Sequence, residues 1–337
     1  MTTVKNVTID RADLRKHLEE QMVRTTPYSL EEWGHVLRAL QLVDAPAKEL
    51  LPKLFTLYEA QVLAFYDPQT HTYYSIKQLP NLPTDTSNLV DPKTLEEMVM
   101  VHELTHALQD QHFSLSKREK TLMRDTDANM AYHAVLEGEA VLVMLAHMLE
   151  KSGVDLSEVV KNDAMLDTIS AAAISEGMID PSTPKYFAEM LKFPYLEGLK
   201  FVVNAYRRDG WKALDAVHAN PPRSTREVLH PDEYYARVAA AKPAKACDEK
   251  KPADALAVEH LGEFHWAFLV GENASRGWVT DRAVIWKDGR VAIDTTWESP
   301  ERATAFADAY AAFLKNRSVD AKFTRDGATV KVTYTAK

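Results

Sequence analysis

Cysteine is almost absent from this chain. Of 337 residues only Cys247 carries a thiol, which excludes an internal disulfide and any cysteine-based metal cluster. Surplus positive charge is absent too. Lys and Arg number 40 against 49 Asp and Glu, a net charge of -9, so a nucleic-acid partner is not expected, because phosphate backbones are bound mainly through surplus Lys and Arg. No apolar run reaches the roughly 18 residues that a membrane span needs, so none is expected. The N-terminal stretch MTTVKNVTIDRADLRKH has no hydrophobic segment to act as a signal peptide. The chain as given therefore reads as cytoplasmic, and one whose signal had been removed would read the same and be extracytoplasmic. No fixed-period repeat interrupts it. The remainder, 46% apolar and 26% charged, has the composition of a globular protein able to bury a core, and its length suits one large domain or two modest ones.

Hydrophobic periodicity predicts helices through residues 10–60, where DRADLRKHLEEQMVR and SLEEWGHVLRALQLV each open on a capping residue. QVLAFYDPQTHTYYSI then reads as a β-hairpin, two aromatic and β-branched runs around the turn DPQT. After the Pro- and Asn-rich LPNLPTDTSNLVDP, Asp91-Pro92 opens a new helix. A second long helix is expected from about Asp125 to Lys151, with helical stretches recurring to about Val217. AAAKPAKACDEKKPADA breaks the pattern and reads as a linker or long surface loop. Beyond it, Asp288-Gly289 and Asp326-Gly327 mark two hairpins flanking SPERATAFADAYAAFLKN, a helix with a Ser cap and Pro at its first position. The expected organisation is α+β: a mainly helical catalytic domain over 1–238 with a small β-hairpin or sheet edge, a linker over 239–257, and a small α+β unit over 258–337. Trp278, Trp286 and Trp297 read as the small core of that last unit.

The helix opened by Asp91-Pro92 contains MVMVHELTHALQDQHFSL. Residues four apart share a helix face, so His102 and His106 can present two imidazoles to one metal ion. Glu103 beside them can take a proton from the attacking water. The bland alternative is chance, roughly a few per cent for a chain with 12 His. Val99, Met100, Val101, Leu104, Ala107 and Leu108 predict a buried apolar helix, where His and Glu are costly unless paired or metal-bound.

A catalytic zinc needs a third protein ligand and an open position. His112 has the spacing of the pattern HExxHxxGxxH, but Gln109 stands where that pattern turns on Gly, so His112 reads as a supporting or packing residue. NMAYHAVLEGEAVLVMLAHML offers Glu137 and Glu139 in an otherwise apolar helix, where buried carboxylates want a cation. His133, one turn before Glu137, can orient it or fill space. His230, in the Pro-rich segment NPPRSTREVLHPDEY, is a candidate donor on a rigid loop.

These residues resemble the gluzincin metallopeptidases, in which HExxH is completed by a Glu on a later helix. The second element of the zinc aminopeptidases of that clan, Asn-Glu-Gly-x-Ala, is matched at Glu137, Gly138 and Ala140, with Leu136 in place of Asn. The resemblance implies zinc bound by His102, His106 and Glu137 rather than Glu139, with Glu103 as general base. The interval from the second His to this Glu is longer than in those aminopeptidases, which allows an insertion. Tyr195 and Gly198 match their Tyr-x-x-Gly helix, whose tyrosine hydroxyl steadies the oxyanion, a role for which His230 competes. In gluzincins a sheet-edge strand beside the zinc pairs with extended peptide, and QVLAFYDP is its candidate here. The Gly-x-Met-Glu-Asn-type segment by which aminopeptidases hold a free N-terminus is missing, which favours an endopeptidase. The layout also resembles uncharacterised bacterial proteins with HELTHALQDQHF, EGEA, PPRSTREVLHP and a C-terminal GW…DR…TTW segment.

The expected function is a zinc-dependent peptidase acting on a peptide or protein substrate. The alternative is a non-catalytic zinc-binding protein with a structural or partner-binding role. A weaker third option is a metal-free helical protein whose C-terminal unit binds a partner.

Overall fold

The computed structural model describes residues 3–77, 91–166, 168, 179–241 and 251–336. Its architecture is α+β. In chain order the elements are β1 (Lys5–Ile9), α1 (Arg11–Thr25), α2 (Leu30–Ala39), α3 (Ala47–Gln61), β2 (Ala64–Asp67), β3 (Thr72–Ile76), α4 (Pro92–Phe113), α5 (Leu115–Leu122), α6 (Thr126–Lys151), α7 (Leu156–Val159) and α8 (Lys185–Ala219). Then follow α9 (Thr225–Leu229), α10 (Pro231–Ala239), β4 (Ala255–Glu259), α11 (Gly262–Val270), α12 (Glu272–Ser275), β5 (Trp278–Trp286), β6 (Arg290–Trp297), α13 (Pro300–Asn316), β7 (Ala321–Asp326) and β8 (Thr329–Thr335). Residues 78–90, most of the expected Pro- and Asn-rich loop, lie outside the described residues, as do Cys247 and residues 242–250 of the expected linker. The far end of that linker range, from Ala255, already belongs to β4.

Two compact units interleave along the chain. The first comprises Met1–Thr25, Pro52–Thr121 and Ala131–Pro222; the second comprises Thr26–Leu51, Leu122–Met130 and Arg223–Lys337. The first unit carries a three-stranded sheet in the order β1-β3-β2. The expected hairpin is its β2-β3 half, with Phe65 opposite Tyr74 and Tyr66 opposite Tyr73. β1 joins β3 in parallel, Val7 opposite Tyr74, which leaves β2 as an edge strand. Helix α8 is long and bends at Asp209-Gly210, just before Trp211.

The second unit is built on an antiparallel sheet in the order β4-β5-β6-β8-β7. Strict alternation sets its register. Val291, Ile293 and Trp297 on β6, and Val330, Val332 and Tyr334 on β8, are all buried. Gly289, at φ 85°, makes the turn between β5 and β6, a conformation that any side chain would strain. Helix α13, capped by Ser299 with Pro300 at its start, brings Phe306 and Tyr310 against Trp266, with ring centroids 4.8 and 5.2 Å away. Trp297 stacks on Phe306 at 4.4 Å, so Trp297 serves the core as expected. Side-chain bonds account for the sequence-distant pieces of this unit. Tyr334 Oη donates to the Ala39 carbonyl at 2.9 Å, and Glu259 accepts from both Tyr28 and Thr126.

Asp127 makes a further such tie, accepting from the Thr225 amide at 2.9 Å and the Thr225 hydroxyl at 2.5 Å. It is buried, and burial pushes its carboxyl well above the ordinary carboxylate range, more than the Thr225 bonds bring it back. The folded state then binds the proton more tightly than the unfolded chain. The resulting stabilisation is full below the unfolded pKa of about 3.9 and is lost as pH rises through the raised folded value. Asp127→Asn keeps an oxygen for Thr225 and removes the buried charge. We expect it to be more stable than wild type by about 1–2 kcal/mol at neutral pH, a difference that closes in acid, read by urea unfolding across pH.

By length and composition, α6 passes as a candidate membrane span, at mean hydropathy 1.2 over 18 residues with 50% of that window buried. Core helices of folded proteins meet the same criterion, and no other helix among the described residues does.

Candidate metal centre

Helix α4 begins as its sequence requires. Asp91 caps it by accepting from the Lys93 and Thr94 amides, both at 3.1 Å, and Pro92 needs no partner for an N–H. The helix runs unbroken to Phe113, so His112, six residues past His106, falls off the face that His102 and His106 share. Its side chain is exposed. Met100 and Leu104 are exposed as well, at 43% and 37%. The apolar helix is thus buried on the histidine side only, and not all round as its composition predicts.

The far wall comes from α6 and α8. These helices meet backbone to backbone. A Cβ on Gly198 would lie 2.1 Å from the Ala134 carbonyl oxygen, and one on Gly138 would lie 2.3 Å from the Gly198 carbonyl carbon. The crossing sets two side chains: Glu137, the neighbour of Gly138, and Tyr195, one turn before Gly198. Glu137 Oε2 stands 3.1 Å from His102 Nε2 and 3.5 Å from His106 Nε2, and the two Nε2 atoms are 3.2 Å apart. Tyr195 lies over His102, ring centroids 6.2 Å apart and 21° from parallel. His133 Nε2 holds the other oxygen of Glu137 at 3.1 Å, the orienting role open to it. The interval between the two motifs is filled by α5 and the start of α6.

Glu103 stands on the same turn as His102. Its Oε2 accepts the Tyr66 amide at 2.8 Å, which ties the edge strand β2 to α4. Asp110 adds to this tie, its Oδ2 being 2.9 Å from both Tyr66 Oη and His71 Nδ1. Burial pushes the Glu103 carboxyl up, against the pull of His102 and His106. Burial also acts to raise Glu137, but His106, His102 and His133 together bring it well below the ordinary range. For His106 burial lowers and the Glu137 and Glu103 carboxylates raise; the balance holds it up at about 9. Tyr195 is raised well above the ordinary phenol by burial and by Glu137 and Glu103, so it remains a donor at neutral pH.

One ligand atom from each of His102, His106 and Glu137 lies within 4.8 Å of the others. Two imidazole nitrogens and one carboxylate oxygen are the donor set of a catalytic zinc site. By donor type and spacing the residues fit a divalent cation. Glu139 does not join them: its Oε2 bonds Gln109 at 2.7 Å and His218 at 2.6 Å. His230 belongs to the second unit, where its Nε2 lies 2.9 Å from Glu263 Oε1 and that partner raises its pKa. Arg226 of the same PPRSTREVLHP segment donates to the Trp278 carbonyl and to Glu233 and Glu298. These bonds give the motif a bracing role within that unit. Gln109 and His218 were not legible as site residues, since neither stands in a spacing that marks metal chemistry.

A family model described as Domain of unknown function (DUF8575) matches residues 235–336, less than a third of the chain and none of the first unit. No curated protein and no solved structure matches the chain significantly.

Proposed function

We propose that the chain is a zinc-dependent peptidase of the gluzincin type, an endopeptidase rather than an aminopeptidase. The observation that carries this is the convergence of His102, His106 and Glu137 with Glu103 and Tyr195 around them. His102, His106 and Glu137 would hold the metal. A zinc ion, when bound, supplies Lewis acidity, acidifying water and polarising a carbonyl. Glu103 accepts the proton of the attacking water and returns it to the leaving amine. Tyr195, kept protonated, offers its O–H to the negative charge that develops on the carbonyl oxygen. Support for a peptide substrate comes from β2, an edge strand tied to Glu103, along which an extended chain can add.

A second reading, a zinc centre that only anchors the fold, is favoured by one observation. Glu103 already has a structural use in accepting the Tyr66 amide, so its presence beside the histidines does not by itself require catalysis.

The first test is elemental analysis of protein purified without added metal, beside His106→Ala. The expected result is about one zinc per chain in wild type and little in the variant. A well-folded wild type that carries no zinc and refuses it on titration would overturn both readings.

A further inference from the structure

A chain of buried polar groups leads away from the candidate metal centre. His106 Nδ1 lies 2.9 Å from Gln109 Oε1. The other end of that amide, Nε2, donates to the Leu136 carbonyl at 3.2 Å and to Glu139 Oε2 at 2.7 Å. Both of those partners accept, so the amide can sit only one way round, with its oxygen towards His106. The Nδ1 of His106 must then carry the hydrogen. Its Nε2 is left facing His102 and Glu137, the nitrogen that offers a lone pair to a metal once its own proton is displaced.

The far end is equally fixed. Glu139 Oε2 accepts a second bond from His218 Nε2 at 2.6 Å. Tyr132 Oη stands 3.4 Å from His218 Nδ1, and Phe113 stacks on the His218 ring at 4.1 Å, 9° from parallel. Gln109 and His218 are 3% and 0% exposed, so little solvent competes for their side of these bonds. Glu139 is the carboxylate of Leu-Glu-Gly-Glu-Ala that the donor set leaves out. By accepting from the Gln109 NH2 it prevents the amide from turning and polarises its oxygen towards His106.

We propose that Gln109, Glu139 and His218 form a positioning arm that fixes His106 as its Nδ1–H tautomer and thereby sets how tightly the centre holds a divalent metal. This rests on the zinc reading above. It assigns none of the three a contact with metal or substrate.

The test is zinc affinity, measured by competition with a chromophoric chelator, together with the visible absorption of the cobalt-substituted protein. Gln109→Leu fills the same space without the acceptor and should weaken zinc binding by about 10–100-fold, with an altered cobalt spectrum. Glu139→Gln keeps an oxygen for both of its donors and should bind close to wild type. If Gln109→Leu does not fold, Glu139→Leu tests the arm from its far end. There the amide keeps only its 3.2 Å bond to the Leu136 carbonyl, its orientation is held less firmly, and a smaller loss of affinity in the same direction is expected. Wild-type affinity in a folded Gln109→Leu or Glu139→Leu would overturn the arm and leave the zinc reading standing. If wild type binds no more zinc than His106→Ala, the zinc reading falls and the arm with it.

Discussion

Glu103→Gln is expected to retain about one zinc per chain while hydrolysis of any peptide that the wild type cleaves falls by about 10²–10⁴-fold, the usual contribution of a general base. The substitution is clean because of what Glu103 touches. Its side chain accepts the Tyr66 amide at Oε2, 2.8 Å away, and the glutamine oxygen can accept the same bond. The tie between β2 and α4 therefore survives, and with it the edge strand. What is lost is a group able to take a proton, since an amide is not basic at any working pH. The variant thus separates the two readings of the centre. Under catalysis, zinc content and thermal midpoint stay and turnover goes. A fold-anchoring centre predicts no turnover in either protein. Undiminished hydrolysis by Glu103→Gln would sink the proposed mechanism.

What could be read from sequence follows the range of the interactions involved. Helix α4, its Asp91-Pro92 start, the β2-β3 hairpin and the Gly turn at Gly289 are local, and their residues announce them. β1 is not local. Its five residues KNVTI have only Ile9 buried, so no alternation marks a strand, and its partner β3 lies more than sixty positions away. The interleaving of the units is equally hidden. Residues 26–51 and 122–130 belong with the C-terminal sheet through single side-chain bonds such as Tyr334 to Ala39, which leave no trace in composition. Within the centre, the two histidines were legible because four residues is one helix turn. Choosing between Glu137 and Glu139 was not a matter of composition. Two residues on a helix differ by about 200°, and only the phase of α6 against α4 decides which carboxylate meets the imidazoles. That phase is set by the Gly138–Gly198 contact, which no spacing within either helix reveals.

Gly198→Ala tests that contact. In an ordinary helix interior the exchange stabilises by about 1 kcal/mol, because alanine is the better helix former. Here the new methyl would stand 2.1 Å from the Ala134 oxygen and 2.9 Å from its carbonyl carbon. Both are backbone atoms and cannot swing aside, so α6 and α8 must part along their crossing. Forced overpacking of this kind costs about 1–3 kcal/mol and sometimes more, enough to reverse the propensity gain. We expect a thermal midpoint lower by roughly 3–8 °C for a unit of this size. Truncating the neighbour gives no relief: Ala134→Gly combined with Gly198→Ala should melt no higher, because the obstruction is the carbonyl and not the methyl. The displacement also carries Tyr195 away from Glu137 and His102, so activity should fall further than lost stability accounts for at temperatures where the variant is fully folded. If Gly198→Ala instead melts higher, by the increment of an ordinary helix interior, the helices do not touch at this point. The position of Tyr195 over the histidines would then need another cause.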